Sequence, residues 1–311
     1  LLAEGFYRDW STANFGKRAG PAIAEVLARI DGRGLPEPSG WVHGPGTVKV
    51  AATPWEQGAP RYAFVGELEA LRPLVEGPGN LDRFDRWLAR FRALRAMGRL
   101  GCVAGELRAA MERVAGLPED EREEAARSEA LPLRLELARA WDELITWRIA
   151  AVDSIGDLGT IANLEQQSLR TAHLLDAHDG ELAALLDGEL PAEVQPAMEY
   201  AGPPRILMPT VRSLVAPDES LRVEVILLAP PSSQPPRGEL LWRELGQGDY
   251  RSVPLDHVAR GVHEARLPTA PSGAIALELL VRADVGGEAL VWPASAPTIP
   301  HTIVVSSAGR R

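Results

Sequence analysis

The chain has 311 residues, 45% of them hydrophobic and 24% charged, which suits a globular protein of two domains and not a disordered one. Its net charge of −10 argues against a nucleic-acid partner, which would need clustered Lys and Arg, and gives an anionic membrane no handle. Cys102, the one cysteine, excludes an intrachain disulfide and a cysteine-rich zinc site, and its apolar helical surroundings suit a buried, inert thiol.

The chain opens on "LLAEGFYRDW", with an apolar helical rhythm at Leu2, Phe6 and Trp10 and no initiator methionine. It therefore reads as starting inside an element, as a fragment or processed product would. The leucines lack the basic segment, apolar run and small-residue cleavage site of a secretory leader. No run approaches the length of a membrane-spanning helix.

Residues 4 to 16, "EGFYRDWSTANFG", mix Tyr7, Asp9, Trp10 and Asn14 with Phe6 and Phe15, and 8 of the 17 aromatics fall in the first 64 residues. Aromatic faces beside carboxylates and amides suit a carbohydrate, whose rings offer apolar C–H faces and hydroxyls. Phe6, Trp10 and Asn14 also lie at i, i+4 and i+8, a single helical stripe that would serve to dock another domain. Docking is the preferred reading, because apolar stripes at helical spacing usually pack.

A helix is expected over "NFGKRAGPAIAEVLARI". From Asp31 to Pro60 the prolines and glycines forbid a helix, and a loop of that length, carrying Trp41 and Trp55, is a candidate binding element. The plainer alternative is that the two tryptophans pin the loop to the helices. A short helix fits "YAFVGELEALRPLV". A long one then follows, with Asn80 as N-cap and apolar residues at Leu81, Phe84, Leu88, Phe91, Leu94 and onward to Val114. Its antiparallel partner begins near Glu119 and should kink or break at Pro132.

"DLGTIANLEQQS" is a second candidate site: Asn163 and Gln167 share a helix face and Gln166 lies on the adjoining one. Buried amides need partners, so an internal hydrogen-bond network is preferred to a ligand site. A last helix fits "GELAALL".

Near residue 200 the hydrophobic period changes to two. "RILMPTV", "LRVEVILLA", "GELLWREL", "YRSVPL", "HEARLP", "IALELLVRA", "EALVWP" and "HTIVV" read as seven or eight short strands, with Trp242 in their core and "LGQGDY" as a turn. That spacing predicts an immunoglobulin-like or fibronectin-like antiparallel β-sandwich over 205–311, after an all-α domain over 1–204. Residues 205–311 carry 11 arginines, no lysine and 11 acids, so the whole −10 belongs to the helical part.

The hydrolase, zinc, P-loop and dinucleotide motifs G-x-S-x-G, H-E-x-x-H, G-x-x-x-x-G-K-[ST] and G-x-G-x-x-G are all missing. The six histidines are scattered, so no metal site is expected, and no cofactor.

"FYRDWSTANFG", "IDG", "WVHGPG", "PWEQ", "GNLDRFDRWLARFRALRAMG" and "DLGTIANLEQQS", followed by a sandwich, resemble in order the C-terminal portion of large bacterial glycoside hydrolases, in which a catalytic barrel precedes helices and a β-sandwich. The resemblance implies an ancillary region that packs on an upstream catalytic domain or chain and contributes to glycan binding, in a secreted or periplasmic enzyme. It places the catalytic carboxylates in the barrel, so no catalytic residue is assigned here. The alternative from another class is a scaffold or adhesion-type module whose sandwich binds a protein. A third is an independent lyase or hydrolase using a carboxylate such as Asp9 or Glu165.

Overall fold

The computed structural model describes residues 3–40, 46–217, 219–231, 235–271 and 273–306. The fold is α plus β, a helical N-terminal half followed by antiparallel and mixed sheets. The chain divides into two compact units, one of Leu1–Glu76, Phe84–Ala151 and Gly156–Glu199, the other of Gly77–Arg83, Val152–Ile155 and Tyr200–Arg311. The change of hydrophobic period lies at the start of the sheet strands, but two short stretches from the helical part of the sequence also group with the strands.

The first unit begins with α1 (Ala3–Phe15) and α2 (Gly20–Arg33). Gly16, at φ 90°, takes the left-handed conformation that ends α1. Strands β1 (Ser39–Gly40) and β2 (Thr47–Val48) pair antiparallel within the proline- and glycine-rich stretch. The chain then forms α3 (Trp55–Gly58), a 3₁₀ turn and α4 (Ala63–Leu71). The 38-residue α5 (Pro78–Ala115) starts at Pro78, so Asn80 lies inside its first turn and is not the N-cap. Proline is favoured there because the first helical N–H has no partner to lose.

The antiparallel partner of α5 is α6 (Glu119–Ala125) continuing into α7 (Leu131–Ala150). Between them Ala126–Ala130 form a π turn just ahead of Pro132, which has no N–H for the Ser128 carbonyl and whose ring would meet it. The helix widens by one residue there instead of breaking. Contacts ascending α5 descend its partner: Arg92 stacks on Trp147, Arg99 pairs with Glu143 and Glu136, and Arg113 with Glu129. Leu100, Leu107, Leu137, Trp141 and Leu144 are buried in the shared core.

Helix α8 (Ile155–Glu165) also ends in a π turn, Gln166–Thr171, and α9 (Asp179–Leu185) closes the helical series. Arg134, 1% exposed on α7, is held to Asp179 at the start of α9 by two hydrogen bonds of 2.6 and 2.9 Å.

Two sheets make up most of the second unit. The strands in chain order are β3 (Arg205–Leu207), β4 (Leu214–Val215), β5 (Leu221–Leu228), β6 (Arg237–Glu244), β7 (Arg251–Pro254), β8 (Asp256–Ala259), β9 (Val262–Leu267), β10 (Ala276–Val285), β11 (Glu288–Trp292) and β12 (His301–Val305). One sheet runs β3-β5-β9-β8. The other runs β4-β12-β10-β6-β7, with β11 pairing the far end of β10 and β4 lying parallel to β12. Val223, Val225 and Leu227 of the first sheet share one core with Leu240, Trp242, Leu279 and Val281 of the second. "LGQGDY" does turn the chain from β6 into β7.

Candidate functional site: an aromatic groove in the helical unit

Three helices of the first unit present apolar stripes to a common hollow of about 380 Å³. From α1 come Phe6, Tyr7 and Trp10; from α2 Ile23, Leu27 and Ile30; from α5 Phe84, Trp87, Leu88 and Phe91. The spacings are those of residues that share a helix face. Phe15 and Leu68 complete the apolar lining, and Asp31, Gly34 and Leu35 form the end where α2 stops.

Trp10 meets Phe15 and Trp87 edge to face, whereas the Trp87 and Phe91 rings are tilted by 31°. Trp10 stands at 83° to Phe15 and 88° to Trp87, with centroids 5.5 and 5.8 Å apart. Rings set this way hold one another through their quadrupoles. Phe15 is 1% exposed and packs on Phe84, whereas Phe6 is 56% exposed at the mouth. Phe15 is thus the buried end of the lining, and Phe6 and the half-buried Trp10 its more open end.

Among the described residues Asp31 is the one formally charged side chain of the lining. Burial raises the Tyr7 hydroxyl above the ordinary tyrosine range, and its hydrogen bond to Asp31 and the nearby negative charge raise it further. Tyr7 is thus neutral at physiological pH.

No family model matches the chain, and no curated protein matches it either. Among solved structures it is similar to a crystal structure of S. aureus TarS, at 11% identity and a TM-score of 0.25, over 70% of this chain and 41% of that one. A crystal structure of S. aureus TarS 217-571 is also similar at 11% identity and TM-score 0.25, covering 77% of this chain and 64% of that one. The chain thus spans less than two thirds of either. Likeness at this level carries no argument about function, and neither structure is described as a glycoside hydrolase.

The predicted site residues do not converge. Tyr7 and Trp10 line the groove, but Asp9, exposed on the same helix, does not, and the Asn14 side chain donates to the Trp10 carbonyl at 2.8 Å. Trp41 lies outside the described residues. Trp55 is away from the groove lining: its N–H donates to Glu106 Oε1 at 2.7 Å and its ring lies against Tyr62. That is the pinning role, and it continues along α5. There the Ala51 N–H donates to the Gly101 carbonyl at 2.9 Å, and the main chain at Lys49 and Ala51 sits where side chains on Gly101 and Gly105 would be.

The amides form no groove of their own. Asn163 is half-buried beside Gly46, Gln166 is exposed, and Gln167 is half-buried in the π turn, where its carbonyl accepts from the Ala172 N–H at 3.0 Å. None lines the aromatic groove. The residues missed in sequence, Ile23, Leu27, Ile30, Trp87 and Asp31, lie on helix stripes that look in one dimension like ordinary packing faces. Among the described residues no group of three or more His, Cys, Asp and Glu could hold a metal ion. No helix among them is long and apolar enough to cross a membrane.

Proposed function

We propose that this chain is a recognition region, with the aromatic groove of its helical unit as the binding surface, and that it accompanies the catalytic part of a carbohydrate-active enzyme. The observation that carries the recognition reading is a hollow of about 380 Å³, walled by apolar stripes from three helices and left open at Phe6. Ligand sites are concave and mostly apolar with a few polar groups, and this hollow has that make-up. The enzyme context rests on the order of sequence segments alone. We further propose that the two sheets form an immunoglobulin-type sandwich. The orders β3-β5-β9-β8 and β12-β10-β6-β7 correspond to the A-B-E-D and G-F-C-C′ sheets of that fold, and Trp242 is buried on the strand in the C position.

A glycan is the second reading of the groove, favoured by the Tyr7–Asp31 polar pair beside the aromatic walls. A polyhydroxylated ring needs many hydrogen-bond partners, and an apolar wall supplies few. The preferred occupant is therefore one that needs few hydrogen-bond partners.

The neutral dye Nile red tests the binding surface. It should show saturable, 1:1 fluorescence enhancement with the intact chain. Leu35→Trp, at a lining position that is 45% exposed, should suppress that enhancement by filling the mouth. Enhancement that is non-saturable, or indifferent to Leu35→Trp, refutes the groove. Titration with neutral oligosaccharides separates the glycan reading, which requires saturable binding lost on Trp10→Ala.

A further inference from the structure

The groove carries a sign of charge as well as a shape. Its walls include the rings of Tyr7, Trp10 and Trp87, and among the described residues its one formally charged lining group is the carboxylate of Asp31. Asp31 lies in the last turn of α2, and the Gly34 N–H bonds the Asp31 carbonyl as the helix ends. A helix C-terminus carries partial negative charge. Aromatic faces, a carboxylate and a helix C-terminus each attract a cation, and here they border one hollow. The helical part of the sequence also carries all of the net charge of −10.

Trp87 already takes the Arg90 guanidinium over its ring at 5.5 Å, so its π face holds a cation within the protein. No basic side chain is among the described lining residues, and Arg90, on the Trp87 ring, is paired with Asp157 at 3.9 Å. Arg29, Arg33 and Arg61 line a separate hollow that shares Ile30 and Gly34 with the groove, and Arg29 is paired there with Glu67 at 2.6 Å.

We propose that the groove binds a small substituted ammonium compound, its trimethylammonium-type head against the aromatic faces and Asp31 and its apolar body along Leu27 and Leu88. A quaternary ammonium suits such a site because its charge is spread over methyl groups and needs no hydrogen-bond acceptors, of which this apolar lining has few. An anion of the same shape would face Asp31 and the rings at a disadvantage. This inference rests on the recognition reading above and adds the chemical class of the ligand.

Choline and its neutral isostere 3,3-dimethylbutan-1-ol, which replaces N⁺ by carbon, are the probes, followed by the indole N–H shifts of Trp10 and Trp87 in ¹⁵N NMR of the whole chain. Choline should bind about tenfold more tightly than the alcohol. Asp31→Asn, at an exposed position, should remove most of that preference by lowering the choline affinity far more than that of the alcohol. Trp10→Leu keeps apolar bulk and removes a π face, and should likewise lower the choline affinity; circular dichroism establishes that it is folded, and Asp31→Asn decides the matter if it is not. Equal affinity for choline and the alcohol overturns the cation inference and leaves the groove as a recognition site. Tighter binding of laurate than of choline assigns the charge preference to the arginine-lined hollow and also overturns it. A trimethyllysine peptide binding more tightly than choline overturns the small-molecule assignment. If no probe binds and Nile red also fails, both readings fall together.

Discussion

Replacing glycine by alanine in the helical unit should have opposite effects at two positions. In an exposed helix interior the change removes backbone entropy from the unfolded chain and stabilises by about 0.5 to 1 kcal/mol. Gly66, inside α4, meets that condition, since a Cβ there has no neighbour within 4 Å. At Gly105 a Cβ would overlap the Ala51 carbonyl oxygen and carbon, which are main-chain atoms and cannot rotate aside. The stretch around Ala51 would have to lift from α5, straining its 2.9 Å hydrogen bond to the Gly101 carbonyl. Loss of that bond is worth about 1 kcal/mol, and overpacking about 1 to 3 more. After subtracting the propensity gain, Gly105→Ala should destabilise the helical unit by about 1 to 3 kcal/mol, with Gly66→Ala stabilising it. Urea unfolding followed by ellipticity at 222 nm, where the helices dominate, measures both variants. A shift of the same sign in the two refutes the close seating of this stretch on α5.

Asp179→Ala should destabilise by about 3 to 5 kcal/mol in the same assay, because it strands the buried Arg134 guanidinium. The double variant Arg134→Met/Asp179→Met should be less destabilised than the single one, and Glu123→Ala, which breaks an exposed pair with Arg127, should change stability by less than about 0.5 kcal/mol. Cys102 is buried, and its thiol is raised above the ordinary range by burial and then by Glu106, so a disulfide reagent should label it only as the chain unfolds. Fast labelling of the native protein would contradict its placement on the inner face of α5. All four tyrosines lie above their ordinary range, with burial the largest cause in each, and Tyr200 is pushed up to about 12. The unfolded chain therefore loses its tyrosine protons first, and the stability these groups contribute is present below about pH 10 and falls as pH rises through the folded values. Absorbance at 295 nm should show delayed ionisation in the native protein and ordinary ionisation in urea; coincident curves would refute it.

Local physics made much of the architecture legible in the sequence. Runs such as Leu81, Phe84, Leu88 and Phe91 can bury one face only as a helix, and the alternation in "LRVEVILLA" can do so only as a strand. Strands without that alternation were not readable: β8 is exposed along its length, and β4 is two residues held by pairing with β12. Pro132 announced an interruption, but whether the helix would break or widen depended on the partner helix holding both halves in one core. Glycines at 101 and 105 gave no local reason for their presence until the main chain of residues 49–51 was laid across them. The groove shows the same limit most clearly. The sequence marks Phe6, Trp10, Phe84, Leu88 and Phe91 as members of apolar stripes, because periodicity reports which residues share a face. Whether three such faces close on one another or leave a hollow between them depends on helix angles and side-chain volumes from segments dozens of residues apart. Those are set only when the chain packs, and packing is also what brings Asp31, at the end of α2, to the edge of an aromatic wall built by α1 and α5.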